Sequence, residues 1–575
     1  MIDDVSTTTS HGLAARVAEL EAALAAERRR ADQASAERDR LREAYRLLQL
    51  EVEISRRRLA IAKAERVDTT QLELEFAKQL RELDRLAGLD DTTAPGATGS
   101  PDPGNGRAKR KKSTHKPTGR RRLSELDMPE ERIELADPAL EGTAQRIGTE
   151  ESYKVKWRRA GHVRLVVARV KYKIGDGDDA VIATAERPRE LITRALAAPS
   201  LLAHIATDKL CDGLPLYRQE DRFKRLGVGI DRGTMSRWLE ELGLTVGATL
   251  VEAMRKDALA HAFCIATDAT GVLVQPLPSR DKQRQACRRG HFVVQIADDD
   301  HVFFEYTAKE TGAALSAMFR GFTGFVQADA ASVHNILFIP AAQRPPPDDD
   351  GAPDTGERLE VGCWAHLRRK FWEAAITKDP IAREGLARIS RIFELDRSWR
   401  KKSTAETKVL RDAHLRPHTD GFFAWAEAEY DRVRNQRGLL RTALGYAVRQ
   451  RGPLTRFYDD GRLKLDNNAS ERELRRIAVG RKNWLFVGSD DHGQAAGNLL
   501  TLIASARRHC LDPEAYLRDI FRVLPYWPRE RFLELCPRDW PVTRARLDPA
   551  QLQCELGPIT VPEPAPSATE QTAAR

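Results

Sequence analysis

Three carboxylates stand in contexts unlike those of the chain's many other acids. Asp268 ends the apolar run HAFCIATDATGVLV, Asp329 follows a second apolar stretch in FVQADAASV, and Glu471 lies near the start of a helical segment in LKLDNNASERELRR. An ionised carboxylate at the edge of a buried strand needs a metal ion or a charged partner. Three such groups are hard oxygen donors that suit Mg²⁺ and leave coordination positions open for water and phosphate. The chemistry they fit is in-line displacement at phosphorus, in which two metal ions about 3.5 to 4 Å apart stabilise the attacking and leaving oxygens. Asp268, Asp329 and Glu471 are therefore expected to be both the catalytic residues and the ligands of two Mg²⁺ ions, with Mn²⁺ able to substitute. No Lys, Ser or Cys nucleophile is called for. Arg472, Arg475 and Arg476, with Arg481 and Lys482 further on, follow Glu471 and are placed to meet scissile phosphates.

A second feature, Cys363 and His366 in GCWAHLRRKF, has i, i+3 helical spacing. Two ligands cannot close a tetrahedral zinc site, so packing beside the active site, with His366 near substrate phosphate, is the favoured reading of the pair and zinc the other.

The elements that must position these groups read as strands at His291–Ala297 and His301–Thr307 after the run ending at Asp268, then a helix at TGAALSAMFRGF, then the strand before Asp329 and a fifth strand near Leu359 to Val361. Strand, strand, strand, helix, strand, with Asp on the first and fourth strands, is the order of a ribonuclease-H-like fold. There the two Asp-bearing strands lie side by side, so residues 61 apart (329 − 268) can share one metal. The charged stretch at about 373–450 reads as a helical insertion, within a catalytic domain at 255–510.

Upstream, residues 13–89 read as helical. Leu13, Val17, Leu20, Leu24, then Ala31 and Ala34, and again Leu41, Tyr45, Leu48 and Val52 follow a heptad interrupted at Glu27 and Arg38, which fits a coiled coil better than a single long amphipathic helix. Residues 90–122 form a Gly, Pro and Ser-rich linker expected to be disordered, with the cations Lys109, Arg110, Lys111 and Lys112; it serves either as a solvated spacer or as a phosphate-binding arm. Residues 123–182 read as a small β-rich module. The alternation in HVRLVVARVKYKI, with Tyr153, Trp157 and Ile174, supplies its core, and its lack of Cys argues against structural zinc. Within 189–245, two short helices joined at LGVG, with Asp231 as the second N-cap and Thr234, Ser236 and Arg237 pointing outward, read as a helix-turn-helix or as an ordinary helical hairpin. In the first case Arg232 and Arg237 would face DNA. A helical segment at 511–545 and a disordered tail at 546–575 complete a multidomain α+β chain.

Composition agrees with these readings. A chain of 575 residues exceeds what one core can serve, and the formal charge of +9 from 94 basic and 85 acidic residues matters chiefly because it is clustered. Seven scattered cysteines with no CxxC pair argue against a disulfide framework, and no apolar run is long enough to span a bilayer. A cytoplasmic location, nucleoid-associated on DNA, is expected.

From about Ser55 to Pro541 the chain resembles the transposases of the insertion-sequence-66 family, of the Asp-Asp-Glu superfamily. DKLCDGLPLYRQEDRFKRLGVGIDRGTMSRW, GCWAHLRRKF and LDNNASEREL followed by GRKNWLFVGSD are similar to that family's signatures. The resemblance implies that Asp268 in TDATG, Asp329 in QADAAS and Glu471 in NNASERE are the catalytic set, with Cys363, His366, Asn467 and Asn468 supporting them. It further implies metal-dependent cleavage and transfer of DNA strands at the terminal inverted repeats of a mobile element. Its partners would be transposon ends and target DNA, bound as a homodimer or higher oligomer, with room for element-encoded accessory proteins and no membrane. Two departures stand out: residues 123–182 lack the cysteines of the family's usual zinc module, and Ala269 follows Asp268 where many members carry Glu. The rival functions are a transposase-derived DNA-binding protein without activity and a hydrolase of small phosphates, which would need neither the heptads nor the basic linker.

Overall fold

The computed structural model describes residues 129–564, apart from 159–160, 176–179, 277–285, 347–350 and 378, together with Glu27 and Arg30. Apart from Glu27 and Arg30, the coiled coil expected at 13–89 and the basic linker at 90–122 lie outside the described residues. The architecture is mixed α+β and falls into two compact units. Among described residues the smaller unit comprises Glu27, Arg30, 368–388 and 425–445; in it Phe371 packs against Trp425 at 6.0 Å between ring centroids, and Arg388 lies 5.2 Å over the same indole. All that follows concerns the larger unit.

Its first sheet is built from β1 (Glu130–Leu135), β2 (Gln145–Arg158), β3 (Gly161–Ile174) and β4 (Val181–Thr184). β3 pairs with β1 in parallel and with β2 and β4 antiparallel. Leu165, Val166, Val167, Ala168, Val170 and Tyr172 of β3 are all buried, as befits a central strand covered on both faces. Ile174, expected in this core, is exposed instead, because β3 ends there at the sheet margin. The tail expected to be disordered from 546 also needs correcting as far as Pro564. The helix Pro549–Gln553 forms, Leu552 and Ile559 are buried, Leu556 joins Leu165 and Val167 in a small core, and Glu555 accepts from the Ser200 N–H at 3.0 Å. Apolar residues spaced through this Pro-rich stretch find a surface to cover.

Helices α1 (Pro199–Leu210), α2 (Leu216–Arg225), α3 (Arg232–Val246) and α4 (Glu252–His261) lead into the second sheet. It contains β5 (Cys264–Val274), β6 (Arg288–Ala297), β7 (His301–Thr307), β8 (Gly324–Gln327) and β9 (Arg358–Val361), in the order β7-β6-β5-β8-β9. β6 pairs antiparallel with both β5 and β7, and β5, β8 and β9 are parallel. Val293 and Phe303 face one core, while Phe292, Val294 and Phe304 face another, so apolar runs continue through β6 and β7. Two later helices matter to the site: α5 (Asn468–Trp484) and α6 (Asp490–Arg508). α6 closes the sheet edge at β7, where Ser505 Oγ and Thr501 Oγ1 accept the N–H groups of Val302 and Phe304 at 3.0 and 2.9 Å. It also packs on α3, and Asn498 Nδ2 donates to Gly243 O at 3.0 Å. Among the described residues no helix is long and apolar enough to cross a membrane.

Candidate active site

The alternation of a strand decides where Asp268 lies. Ile265 and Thr267 of β5 are buried on one face, while Asp268 shares the other face with Val272 and Val274, which pack against Leu474 and Ile477 of α5. Asp268 and the helix bearing Glu471 therefore share one side of the sheet. Asp329 arrives from β8, whose parallel register sets Ala266 opposite Gln327; continuing it by two residues brings Asp329 beside Asp268.

α5 is held at this place by Asn467. Its Nδ2 donates to Thr267 O at 2.7 Å, its backbone N–H to Cys363 Sγ at 3.2 Å, and its Oδ1 accepts from Ser470 Oγ at 2.7 Å. One buried residue thus joins β5, the approach to the helix Trp364–Ile376 and the first turn of α5, the first and last through its side chain and the second through its backbone. Cys363 is fully buried, its thiol pushed up to about 11 by burial, and its sulfur accepts the Asn467 N–H. Asn468 opens α5, its N–H held by Asp466 at 3.1 Å.

The charges then follow from these positions. Burial pushes the Asp268 carboxyl up to about 6, and the negative charges of Asp329 and Glu471 push the same way, against the Ala269 N–H at 2.8 Å and His366. Burial also acts on Asp329, but His334, with Nδ1 3.0 Å from Oδ1, and His366 outweigh it and hold that carboxyl below its usual range. Glu471 Oε1 lies 3.6 Å from His366 Nε2. Asp329 and Glu471 thus each have an imidazole at ion-pair distance, whereas His366 reaches Asp268 only as a longer-range charge. Among the described residues, no three His, Cys, Asp or Glu side chains are arranged to enclose a metal.

The expected cations divide into two kinds. Arg475 and Lys482 are exposed, whereas Arg476 donates to Glu473 at 3.2 Å and Arg481 to Gly271 O at 2.6 Å, tying α5 to β5. Lys209, which the sequence does not single out, joins Arg472, Arg475, Arg476 and Trp484 around a cavity of about 240 Å³ on the flank of α5, and burial lowers its ammonium to about 8. His334 is a second residue without a sequence signal beyond its position five residues after Asp329.

In the helical pair, Asp231 caps α3 by accepting from Gly233 and Thr234 N–H at 2.7 and 3.2 Å, and Gly227 makes the turn with φ 82°. Arg232 and Arg237 are exposed. Ser236, expected to point free, is half-buried instead and held by His492 Nε2 at 3.0 Å, because α6 covers that face of α3. Lys109, Arg110, Lys111 and Lys112 lie outside the described residues.

Comparison with known proteins places this arrangement in a lineage. The profile described as "Transposase IS66 family" matches residues 194–495, and that of the "IS66 C-terminal element" matches residues 501–537. The chain is similar to two proteins of Sinorhizobium fredii (strain NBRC 101917 / NGR234): uncharacterized protein y4qI, at 29% identity over 65% of this chain and 68% of the relative, and uncharacterized protein y4hP, at 27% over the same shares. No solved structure matches it. On the span of the first match, which alone covers more than half of the chain, the protein belongs to the IS66 family of transposases.

Proposed function

We propose that the larger unit carries a ribonuclease-H-like catalytic domain that cuts and rejoins DNA at the ends of a mobile element, with Asp268, Asp329 and Glu471 as the acting carboxylates. The observation that carries this reading is electrostatic: acids 61 and 142 residues apart (329 − 268; 471 − 329) converge so closely that Asp329 and Glu471 raise the carboxyl of Asp268. A fold that gathers three anions with only two imidazoles, His334 and His366, beside them is suited to receive a cation as ligand. The donor set of three carboxylates fits Mg²⁺. Bound by these residues, Mg²⁺ would supply the positive charge that stabilises the attacking and leaving oxygens at phosphorus.

The chain's own residues have distinct tasks. Asn467 fixes the start of α5, and with it Glu471, against the backbone next to Asp268. His334 and His366 orient Asp329 and Glu471. Arg475 and Lys482 are free to meet the phosphates flanking the cut, and α2 with α3 forms a helix-turn-helix whose exposed Arg232 and Arg237 read DNA. The heptads of 13–89 bring two chains, and so two DNA ends, together; proline at Leu20 and Leu48 is expected to shift elution on a sizing column toward the monomer.

The test is Mg²⁺-dependent strand cleavage of DNA carrying the element's own inverted repeats. Asp268→Asn, Asp329→Asn and Glu471→Gln are each expected to abolish cleavage while binding survives. Wild-type cleavage by any one of them removes that residue from the set. Binding without cleavage by the natural chain would instead support an inactive DNA-binding descendant, the reading to which the turning of Asp329 and Glu471 toward histidines gives some support.

A further inference from the structure

Where α5 ends, the chain does something costly. Trp484 is half-buried against the core and Val487 is buried in it, yet Leu485 and Phe486 between them are 59% and 42% exposed. The backbone is bent to achieve this. Leu485 has φ 63° and ψ −47°, and the Phe486 N–H donates to Trp484 O at 2.7 Å, two residues back. This is the rare positive-φ γ-turn, strained for any residue bearing a side chain. The turn is firmly anchored: Val487 N–H donates to Leu273 O and Gln275 N–H to Val487 O, both at 2.8 Å, making a rung on the end of β5. Leu273, at that rung, is itself 49% exposed.

Around this apolar tip stands a rim of cations. Arg289 is the cross-strand partner of Leu273, Lys482 is exposed one turn back in α5, and Arg481 is fastened to Gly271 and Thr270. An apolar tip inside a cationic rim complements one surface in particular: the stacked bases of a duplex, apolar on their faces, bordered by phosphates. We propose that Leu485 and Phe486 are a wedge that enters duplex DNA between two base pairs and opens that step. The inference rests on the DNA-cutting function proposed above. By strand rise, Leu273 lies about 17 Å along β5 from Asp268.

The experiment uses the full chain in EDTA and two fluorescent duplexes of arbitrary sequence, one intact and one with a central mismatched step that opens at less cost. The wild type is expected to bind the mismatched duplex roughly tenfold more tightly. In the double variant Leu485→Ser, Phe486→Ser the preference should fall to about one, with intact-duplex affinity and its salt dependence unchanged, because the cations remain. Leu485→Gly, which relieves the turn, should raise the melting temperature and weaken the preference, two opposed effects that a merely structural role would not produce. A preference that persists in the double variant, or that the wild type never shows, overturns the wedge. A variant that loses self-association while keeping the preference makes the tip a contact between copies and overturns it equally. Failure to bind the intact duplex at all defeats the underlying DNA reading, a distinct result.

Discussion

The two sheets of the larger unit handle charge in opposite ways. In the β1–β4 sheet the cations have acids across the strands: Arg132 with Glu151 at 2.6 Å, Arg164 with Glu130 at 3.1 Å, Lys156 with Glu131 at 2.7 Å, and Arg146 with both Glu134 and Glu141. In the β5–β9 sheet Asp268 sits half-buried with two further anions near, and among the described residues only the more distant charge of His366 opposes them. The exposed pairs of Arg132 and Arg146 contribute little to stability, and all of these pairs, the half-buried ones of Lys156 and Arg164 included, leave no charge seeking a ligand. A buried anion without a cation destabilises the metal-free protein and is tolerated where a ligand completes it. The first sheet carries paired charge, and the second holds a carboxyl that burial and two neighbouring acids raise above its usual range.

The comparison can be broken most forcefully at Asp268. Asp268→Asn is expected to reduce Mg²⁺-dependent cleavage by at least about a thousandfold while leaving the EDTA-treated protein as stable as the wild type or more so, since the change removes an uncompensated charge. Added Mg²⁺ should then raise the melting temperature of the wild type and not of the variant. A variant that melts well below the wild type in EDTA would mean that Asp268 is structural.

Asp354 sharpens the contrast, because the β5–β9 region also holds a buried carboxylate that is fully paired. It meets Arg344 at 3.1 Å and Arg358, whose guanidinium also donates to Phe319 O at 2.7 Å. Asp354→Asn leaves two buried guanidiniums uncompensated and is expected to cost about 3–5 kcal/mol in denaturant unfolding. Burial alone would raise this carboxyl, but Arg358 and the Gly321 N–H hold it below its usual value. A depressed folded-state pKa stabilises above the unfolded value, so this contribution should be complete above about pH 4 and be lost as pH falls further, a dependence absent in Asp354→Asn.

The last two tests carry the smallest effects. Glu151→Gln breaks an exposed cross-strand pair and should move the melting temperature by less than about 2 °C. Chelation should leave the β-signal of the β1–β4 sheet unchanged, since buried β3 residues and Leu556 supply its core; a loss of strand signal in EDTA, with zinc released, would show that metal ligands there were overlooked.

What the residues disclosed in advance follows from which interactions are local. HFVVQIA and HVFFEYT announce β6 and β7 because apolar runs of that length suit strands buried on both faces, and Asp231 announces α3 because capping involves only its next three residues. The tie from Asn467 to Thr267 spans 200 residues, and that from Ser236 to His492 spans 256, so neither leaves a mark in its own neighbourhood. His334 was equally hidden, since a lone histidine in a short helical turn has no pattern until Asp329 stands beside it. The turn at Leu485 was hidden for another reason. Its strain contradicts the residue's own preference, so local rules point away from it.

α6 (Asp490–Arg508) also fixes the spacing between the helical pair and the β5–β9 sheet. A Cβ at Gly243 would lie 2.3 Å from Ala495 O, and one at Gly497 would lie 2.4 Å from Phe304 O, so α6 meets α3 on one side and β7 on the other with backbone nearly touching backbone. Such joints admit no side chain that could act as a cushion, and they do not slide. A reading head on α3 would then be bolted, through a single helix, to the blade on the sheet. On the function proposed above, the molecule becomes a caliper of fixed gauge: the number of base pairs between a sequence read at α3 and a bond cut at the sheet would be set by the thickness of α6, and a change in that spacing would require a different joint rather than a different active site.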